Sequence, residues 1–228
     1  MSDTALPAID LFDAIYTARA QRRFRPDPVP EELVDRVLDA AIRAPSAGNA
    51  QNWSFVVVRD ADQRRAVGAL YRKGSDIAAA VYAARDRPAH LTEAQWQGML
   101  RGSAHLWDHM GDAPVLVVPC LRQRDLPARD ALDPAWRDHY EDERAYLDRI
   151  RSASIYPAVQ NIILACRALG LGTVLTTNHL RVEAELKSLL GIPEDVDTFG
   201  LMPIGWPERP FGPLSRRPLH EVVHFDRW

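Results

Sequence analysis

Residues 43–53 read R-A-P-S-A-G-N-A-Q-N-W. Pro45, Gly48 and Asn49 end any helix that reaches this point. Ser46, Asn49 and Gln51 then crowd hydroxyl and amide groups between two apolar elements. A helix begins at Pro30, with Glu31 and Glu32 in its first turn and an apolar stripe of Leu33, Val34, Val37, Leu38 and Ala41. A strand, residues 54–59 (S-F-V-V-V-R), follows the loop. Such a loop can hold a polar, planar ligand by hydrogen bonds, with Trp53 as a wall. It can equally be a plain helix-to-strand connection, and the rest of the chain has to decide.

Upstream, residues 9–20 form a first helix with Ile9, Phe12, Ile15 and Tyr16 on one face. Arg19, Arg22, Arg23 and Arg25 then cluster around Phe24, in a segment that Pro26 and Pro28 keep out of helix. A solvated basic surface is one reading. The other is that Phe24 anchors the segment to the core and fixes its guanidiniums, which suits a phosphate.

Downstream, residues 62–71 read as helix, and residues 72–112 as a cap rather than a second domain. Residues 115–121 (V-L-V-V-P-C-L) form a strand whose Pro119 suggests an edge or a bulge. A polar loop, 122–136, is long enough to be functional or mobile, and a charged helix spans 138–152. The helix at 157–169 is apolar on nearly every face, which places it in a core or a subunit interface. Gly170 ends it, and a short strand, 172–177, follows. Residues 181–190 form an amphipathic helix closed by Gly191, and 197–205 a fourth strand. The tail, 206–228, is rich in proline with a strand-like end at 221–225. Lacking a core of its own, it is more easily stabilised against another surface than left free.

With 228 residues, 46% of them hydrophobic, the chain fits one domain with a real core. A net charge of −3 gives no reason to expect nucleic acid or a membrane surface as partner. Cys120 and Cys166 lie far apart in apolar runs, as buried free thiols of a reducing compartment do. No signal peptide and no membrane-spanning run is visible, so a soluble, cytoplasmic protein is expected. Neither a P-loop nor a G-x-G-x-x-G fingerprint occurs. His105 and His109 could share a helix face, but no third ligand is spaced to join them in a metal site. His220 and His224 would share a strand face on the tail. No serine has a nucleophile-elbow context, and Cys166 sits in an apolar helix, a poor place for a thiolate. With no evident acid, base or nucleophile, an enzyme of this sequence would rely on a cofactor.

Several segments together resemble the nitroreductase family of flavin mononucleotide (FMN) oxidoreductases. They are R-A-Q-R-R-F-R-P-D-P-V-P (19–30), A-P-S-A-G-N-A-Q-N-W (44–53) with F-V-V-V-R-D, and A-V-Q-N-I-I-L-A-C-R-A-L-G-L-G-T (158–173). L-L-G-I-P-E-D-V, P-I-G-W-P and the closing R-R-P-L-H-E-V-V-H-F-D complete the set, in order along the chain. The resemblance implies an α+β fold, a small mixed, largely antiparallel sheet flanked by helices, in an intertwined homodimer. A single domain, 1–228, would carry a cap at 72–112 and an arm, 206–228, packed on the partner subunit.

It also implies roles for particular residues. Arg22 matches the basic residue facing flavin N1 and O2, where positive charge stabilises the anionic reduced ring. Arg216 matches the arginine on the FMN phosphate. Pro45, Ser46, Asn49 and Gln51 match the loop that reaches the flavin, Ser46 usually from the partner subunit. Thr176 and Thr177 match the strand-end residues beside flavin N5. Ala18 and Ala20 stand where the family often has an arginine and a serine, which leaves Arg19 as the substitute phosphate contact. Asn52 replaces the proline before Trp53. The implied activity passes hydride from NADH or NADPH through FMN to a nitroaromatic, quinone or similar aromatic acceptor. L-T-T-N-H-L and R-R-P-L also resemble flavin-dependent dehalogenases of iodotyrosine type, whose lid carries an acidic, a tyrosyl and a lysyl residue. A flavin-fragmenting benzimidazole synthase relative and a non-catalytic flavin-binding protein are further alternatives.

Overall fold

The computed structural model describes residues 9–122 and 126–228. The extreme N-terminus, where a signal peptide was sought, and three residues of the 122–136 loop lie outside them. The elements are α1 (Leu11–Thr17), α2 (Glu31–Ala41), β1 (Trp53–Val58), α3 (Ala61–Ala83), α4 (Glu93–His109) and β2 (Val115–Arg122). Then come α5 (Tyr140–Ile150), α6 (Tyr156–Ala168), β3 (Gly172–Thr173), α7 (Glu183–Leu190), β4 (Val196–Thr198) and β5 (Met202–Gly205). Two turns of 3-10 helix, Asn178–Val182 and Leu219–Glu221, matter below.

β2 is the central strand. β1 pairs along one side of it, from Trp53↔Leu121 to Val58↔Leu116. β5 and β4 share the other side, and β3 closes the sheet beyond β5. Among the described residues every strand pairing is antiparallel, in keeping with the largely antiparallel sheet flanked by helices that the resemblance implied. Pro119 therefore lies in the middle of the sheet, not at its edge, but it does mark a bulge. Cys120 faces Thr198 and Val117 faces Met202, so Val118 and Pro119 are opposed by Phe199, Gly200 and Leu201. That extra residue splits the single strand expected over 197–205 into β4 and β5.

Side chains of β2 alternate between two cores, as the two-residue period of a strand requires. Val115, Val117 and Leu121 enter a core shared with α2 and α6. Leu116, Val118 and Cys120 enter another, shared with α3, α4 and α7. α6 is mostly apolar, as its sequence suggests; Ala158, Val159, Ile162 and Cys166 are buried, and Gln160 is exposed. Asn161 Nδ2 donates to the Ala40 carbonyl at 2.9 Å and locks α6 to α2. Truncating a fully buried side chain such as Ile162 would cost about 2–5 kcal/mol.

Three elements differ from their sequence reading. α3 runs to Ala83, where a helix ending at Tyr71 was expected, so the stretch 72–112 holds its second half and α4. α1 is shorter than 9–20: the Asp10 carboxylate caps its start, accepting from Phe12 N at 2.8 Å, and it stops at Thr17. Its Phe12, Ile15 and Tyr16 face outward, and only Ala14 is buried. The tail forms no strand at 221–225. It is tied to the N-terminal segment by Arg25 N to Trp206 O (2.8 Å) and Leu214 N to Tyr16 O (3.1 Å), and then runs on with Phe225 and Trp228 exposed. A strand needs an edge to pair with, and among the described residues the tail meets none beyond the Phe24↔Pro207 bridge.

Candidate functional site

The edge strand β3 and the residues after it form the floor of the site. Gln21 N donates to Thr173 O at 3.0 Å, which lays the arginine-rich segment along β3. Thr176 is pinned to Leu201 by two backbone hydrogen bonds and by its own Oγ1, which donates to the Leu201 carbonyl at 2.7 Å. Phe24 bridges Pro207 and packs on the core, so the anchor expected of it exists.

Between α1, α6, β3 and the tail lies a cleft of about 810 Å³, within the range of small-molecule sites. Arg22 and Arg216 both line it, with Thr173, Gln160, Tyr16 and Leu214. Among the described residues no acidic side chain lines it. Arg22 is half-buried, and no Asp or Glu lies within ion-pair distance of it among those residues. Burial pushes its pKa down, against the opposing phenols of Tyr71 and Tyr82. A cation held in that way is short of an anion. Thr173, which lines the cleft, and its neighbour Gln21 each carry a buried side-chain atom, Oγ1 and Nε2, with no hydrogen-bond partner among the described residues, a cost to the fold. Ala18 and Ala20 line the same cleft and keep it wide. Arg167, which the sequence reading did not single out, donates to Thr17 Oγ1 at 2.7 Å and stacks over Phe211 at 4.3 Å, clamping the tail as the rim.

A second cavity, of about 160 Å³, adjoins the first across Arg22. Thr176 and Thr177 line it, together with Asn178 and with Tyr71, Tyr82, Ser103 and Trp107 from α3 and α4. Tyr71 is buried, which raises its phenol pKa. Asn178 Nδ2 donates to Ser75 Oγ at 3.1 Å and Ser75 Oγ to the Tyr71 carbonyl at 2.8 Å, so α3 holds the 176–178 segment in place. None of the α3 and α4 residues belongs to a local motif; only the packing of two helices against the sheet edge reveals them.

The loop that opened the sequence reading lies elsewhere. Pro45, Ser46, Asn49 and Gln51 line neither cavity around Arg22. Ala47 and Asn52 instead line a separate cleft of about 450 Å³ against α5. The loop is exposed and tightly shaped: Gly48, Asn49 and Gln51 have φ of 59°, 51° and 48°. Ser46 Oγ accepts from Gln51 N at 3.0 Å, and Gln51 Nε2 donates to Asn49 Oδ1 at 3.1 Å. Trp53 packs on the core rather than serving as a ligand wall. The chain thus gathers Arg22, Arg216, Thr176 and Thr177 around adjoining cavities. Arg19 sits beside Gly212 of the tail, outside both linings, and the 45–51 group stands apart.

Cys120 and Cys166 are free and buried. His105 and His109 stack on α4 with ring centroids 4.3 Å apart. Among the described residues no group of three or more potential ligands is placed to hold a metal, and no helix is long and apolar enough to cross a membrane.

The fold is thus an α+β domain with a cleft along its sheet edge, lined by Arg22 and Arg216 and by no acidic residue among the described ones. The nitroreductase family model matches residues 15–206, and the chain belongs to that family. It is 30% identical over 229 residues to an NADH dehydrogenase of Thermus thermophilus, covering 97% of this chain and 98% of that one. It is likewise 30% identical to a 5,6-dimethylbenzimidazole synthase of Rhodospirillum rubrum, covering 94% and 93%. In fold it matches an oxidized iodotyrosine deiodinase bound to FMN and 3-iodo-L-tyrosine, with a TM-score of 0.66 at 19% identity, covering 96% of this chain and 100% of that one.

Proposed function

We propose that the protein is an FMN-dependent NAD(P)H:acceptor oxidoreductase that works as a homodimer. One observation carries the assignment: Arg22 is a half-buried cation without a carboxylate, and it lines, together with Arg216, a cleft with no acidic residue among its described lining residues. Those features fit FMN, which is planar, anionic and rich in hydrogen-bonding groups. FMN, when bound, supplies the transfer of hydride from NADH or NADPH to a nitroaromatic, quinone or similar acceptor.

The chain's part is to bind, orient and stabilise. Arg216 would hold the phosphate by charge-assisted hydrogen bonds, with Arg19, beside Gly212 of the tail, as the second candidate. Arg22 would place fixed positive charge at the pyrimidine edge, where negative charge develops on reduction. Thr176 and Thr177 would face the flavin's N5 side, and the Thr176–Leu201 pairing, which takes up the Thr176 hydroxyl, keeps their segment still. Pro45, Ser46, Asn49 and Gln51 complete the site from the partner subunit, consistent with a loop that projects away from its own cleft.

Two features weigh between the family's reactions. The wall that α3 and α4 turn toward Arg22 has Tyr71 and Tyr82 but neither an acidic residue nor a lysine among its lining residues. That favours acceptor reduction over an iodotyrosine-type dehalogenase. The likeness to the benzimidazole synthase extends over the whole chain but names no residue here for that chemistry.

The test has two stages. Mass spectrometry of the cofactor released from purified protein should find FMN, and a dinucleotide flavin or none would defeat the proposal. NADH or NADPH oxidation should then depend on an added quinone or nitroarene; reduction of the flavin without turnover would point to a storage protein.

A further inference from the structure

A further cleft, of about 540 Å³, lies between the prolines at 26 and 28, the first turns of α3 and the start of β2. It shares no lining residue with the two cavities around Arg22 and has no task in the function proposed above. Arg59, Arg64 and Arg65 all line it. Among the described lining residues their one acidic companion is Asp112, whose Oδ2 already contacts His109 Nδ1 at 2.7 Å.

Arg64 is the fixed member of the three. Its Nε donates to the Arg59 carbonyl at 3.2 Å, and its Nη1 to the carbonyls of Gly111 (3.2 Å) and Ala113 (2.5 Å). Gly111 permits this: a Cβ there would lie 2.8 Å from the Arg64 carbonyl oxygen, so only glycine lets the turn before β2 close on α3. Carbonyls orient a guanidinium without neutralising it. No Asp or Glu lies within ion-pair distance of Arg64 among the described residues, and its Nη2 has no partner there, so two N–H donors are unspent. Arg59 is held in the same way, with Nη2 on the Val29 carbonyl at 3.0 Å and the exposed Glu31 no closer than 3.9 Å. Arg65 pairs only with the exposed Asp62, and exposed pairs of this kind contribute little and are readily exchanged.

We propose that this cleft binds a small organic phosphate. Arg59, Arg64 and Arg65 take the phosphate, and the apolar part of the molecule lies on Pro26, Pro28 and Pro114. Guanidinium forks match phosphate oxygens, and three cations against one carboxylate favour a dianion. The prolines add apolar surface with no N–H of their own. The volume falls within the roughly 300–1,000 Å³ of small-molecule sites. The proposal does not rest on the oxidoreductase reading.

The experiment is a calorimetric titration of the purified protein, with FMN added to saturation so that the flavin's own phosphate site is filled. Phenyl phosphate should bind, and inorganic phosphate should bind at least fivefold more weakly, because it leaves the prolines uncovered. Arg65→Glu and Arg59→Gln should each weaken phenyl phosphate at least tenfold. Both side chains are exposed, and circular dichroism would verify that the variants fold. Arg149→Glu, which makes the same charge change on the exposed face of α5, should leave the affinity unchanged. Three results would each overturn the assignment: no binding to the wild type, binding that the folded Arg59 and Arg65 variants retain, or a loss in Arg149→Glu equal to that in Arg65→Glu.

Discussion

The segment at 173–178 and the loop at 46–51 are both short, polar and set between apolar elements, yet the fold treats them in opposite ways. The first is concave. Its backbone is fastened to the sheet edge at Thr173 and Thr176, and its residues line the cavities around Arg22. The second is convex. It is exposed, and it spends side-chain hydrogen bonds on itself to hold three residues at positive φ. Left-handed conformations cost non-glycine residues about 1–3 kcal/mol each, so Asn49 and Gln51 hold a shape that coil alone would not select. One stretch is built as a receptor and the other as a rigid probe. In the proposed dimer, each completes the other's copy.

The strongest way to break that comparison is to remove residues 219–228. The exposed Leu219, Phe225 and Trp228 have a use only against another surface. Flavin occupancy and dimer content should fall together. Sedimentation monitored at the flavin absorbance reads both, and a truncated monomer that stays fully yellow would end the shared-site idea.

Acid should loosen the receptor half and spare the probe. His179, next to Asn178, is almost wholly buried; its Nε2 contacts Thr198 Oγ1 at 3.1 Å and its Nδ1 has no partner. Burial pushes its pKa from 6.5 down to about 4. Because the folded value is the lower one, the unfolded chain binds the proton first, and stability present above pH 6.5 is lost as pH falls toward 4. The loss is on the order of 3 kcal/mol. Hydrogen exchange should rise at 176–182 before it rises at 46–51, and His179→Gln should flatten the slope of stability against pH. Equal exchange in both segments would dissolve the contrast.

Arg216→Ala tests the receptor's anion site directly. Losing a charge-assisted contact should weaken FMN binding by about 1.5–3 kcal/mol, or roughly one to two decades, as measured by titrating the apoprotein. Unchanged affinity would make Arg216 a surface residue. The smallest effect concerns the probe: Gly48→Ala, at φ 59° with open space around it, should cost about 1 kcal/mol in denaturant midpoint analysis. If occupancy of the flavin site falls by more than that loss of stability explains, the loop's shape serves the site as well as the fold.

Much of this was legible in the sequence because local pattern and tertiary role agreed. The stripe from Leu33 to Ala41, the apolar run of β1 and the largely apolar α6 each state their burial directly. Where they disagreed, the reading failed for identifiable reasons. α3 was cut at Tyr71 because Gly74 and Ser75 weaken a helical pattern. In the fold, a Cβ at Gly74 would lie 2.5 Å from the Asn178 carbonyl oxygen, so the glycine is the condition for bringing α3 onto the site. The bulge opposite Pro119 was half legible: proline announced an irregularity, but not that β2 would be central. Tyr82, Ser103 and Trp107 carried no signal at all, since only the folding of α3 back along α4 brings them to Arg22. The alternation at 221–225 resembled a strand, but pairing requires a neighbour that the sequence of one chain does not name.

The two cysteines give this molecule an unusually quiet thiol chemistry. Both are enclosed in the cores on either side of β2, with Cys120 pushed up to about 12 and Cys166 raised by complete burial. Neither offers a thiolate at neutral pH. A maleimide added to the native protein would therefore wait for the sheet to open, and its rate of uptake becomes a clock for that opening. The same silence makes the chain a ready background for reporters. A cysteine introduced at the exposed Gln97 of α4 would be the first thiol to react, and a dye or spin label placed there would report on the surface while the core stays unmarked.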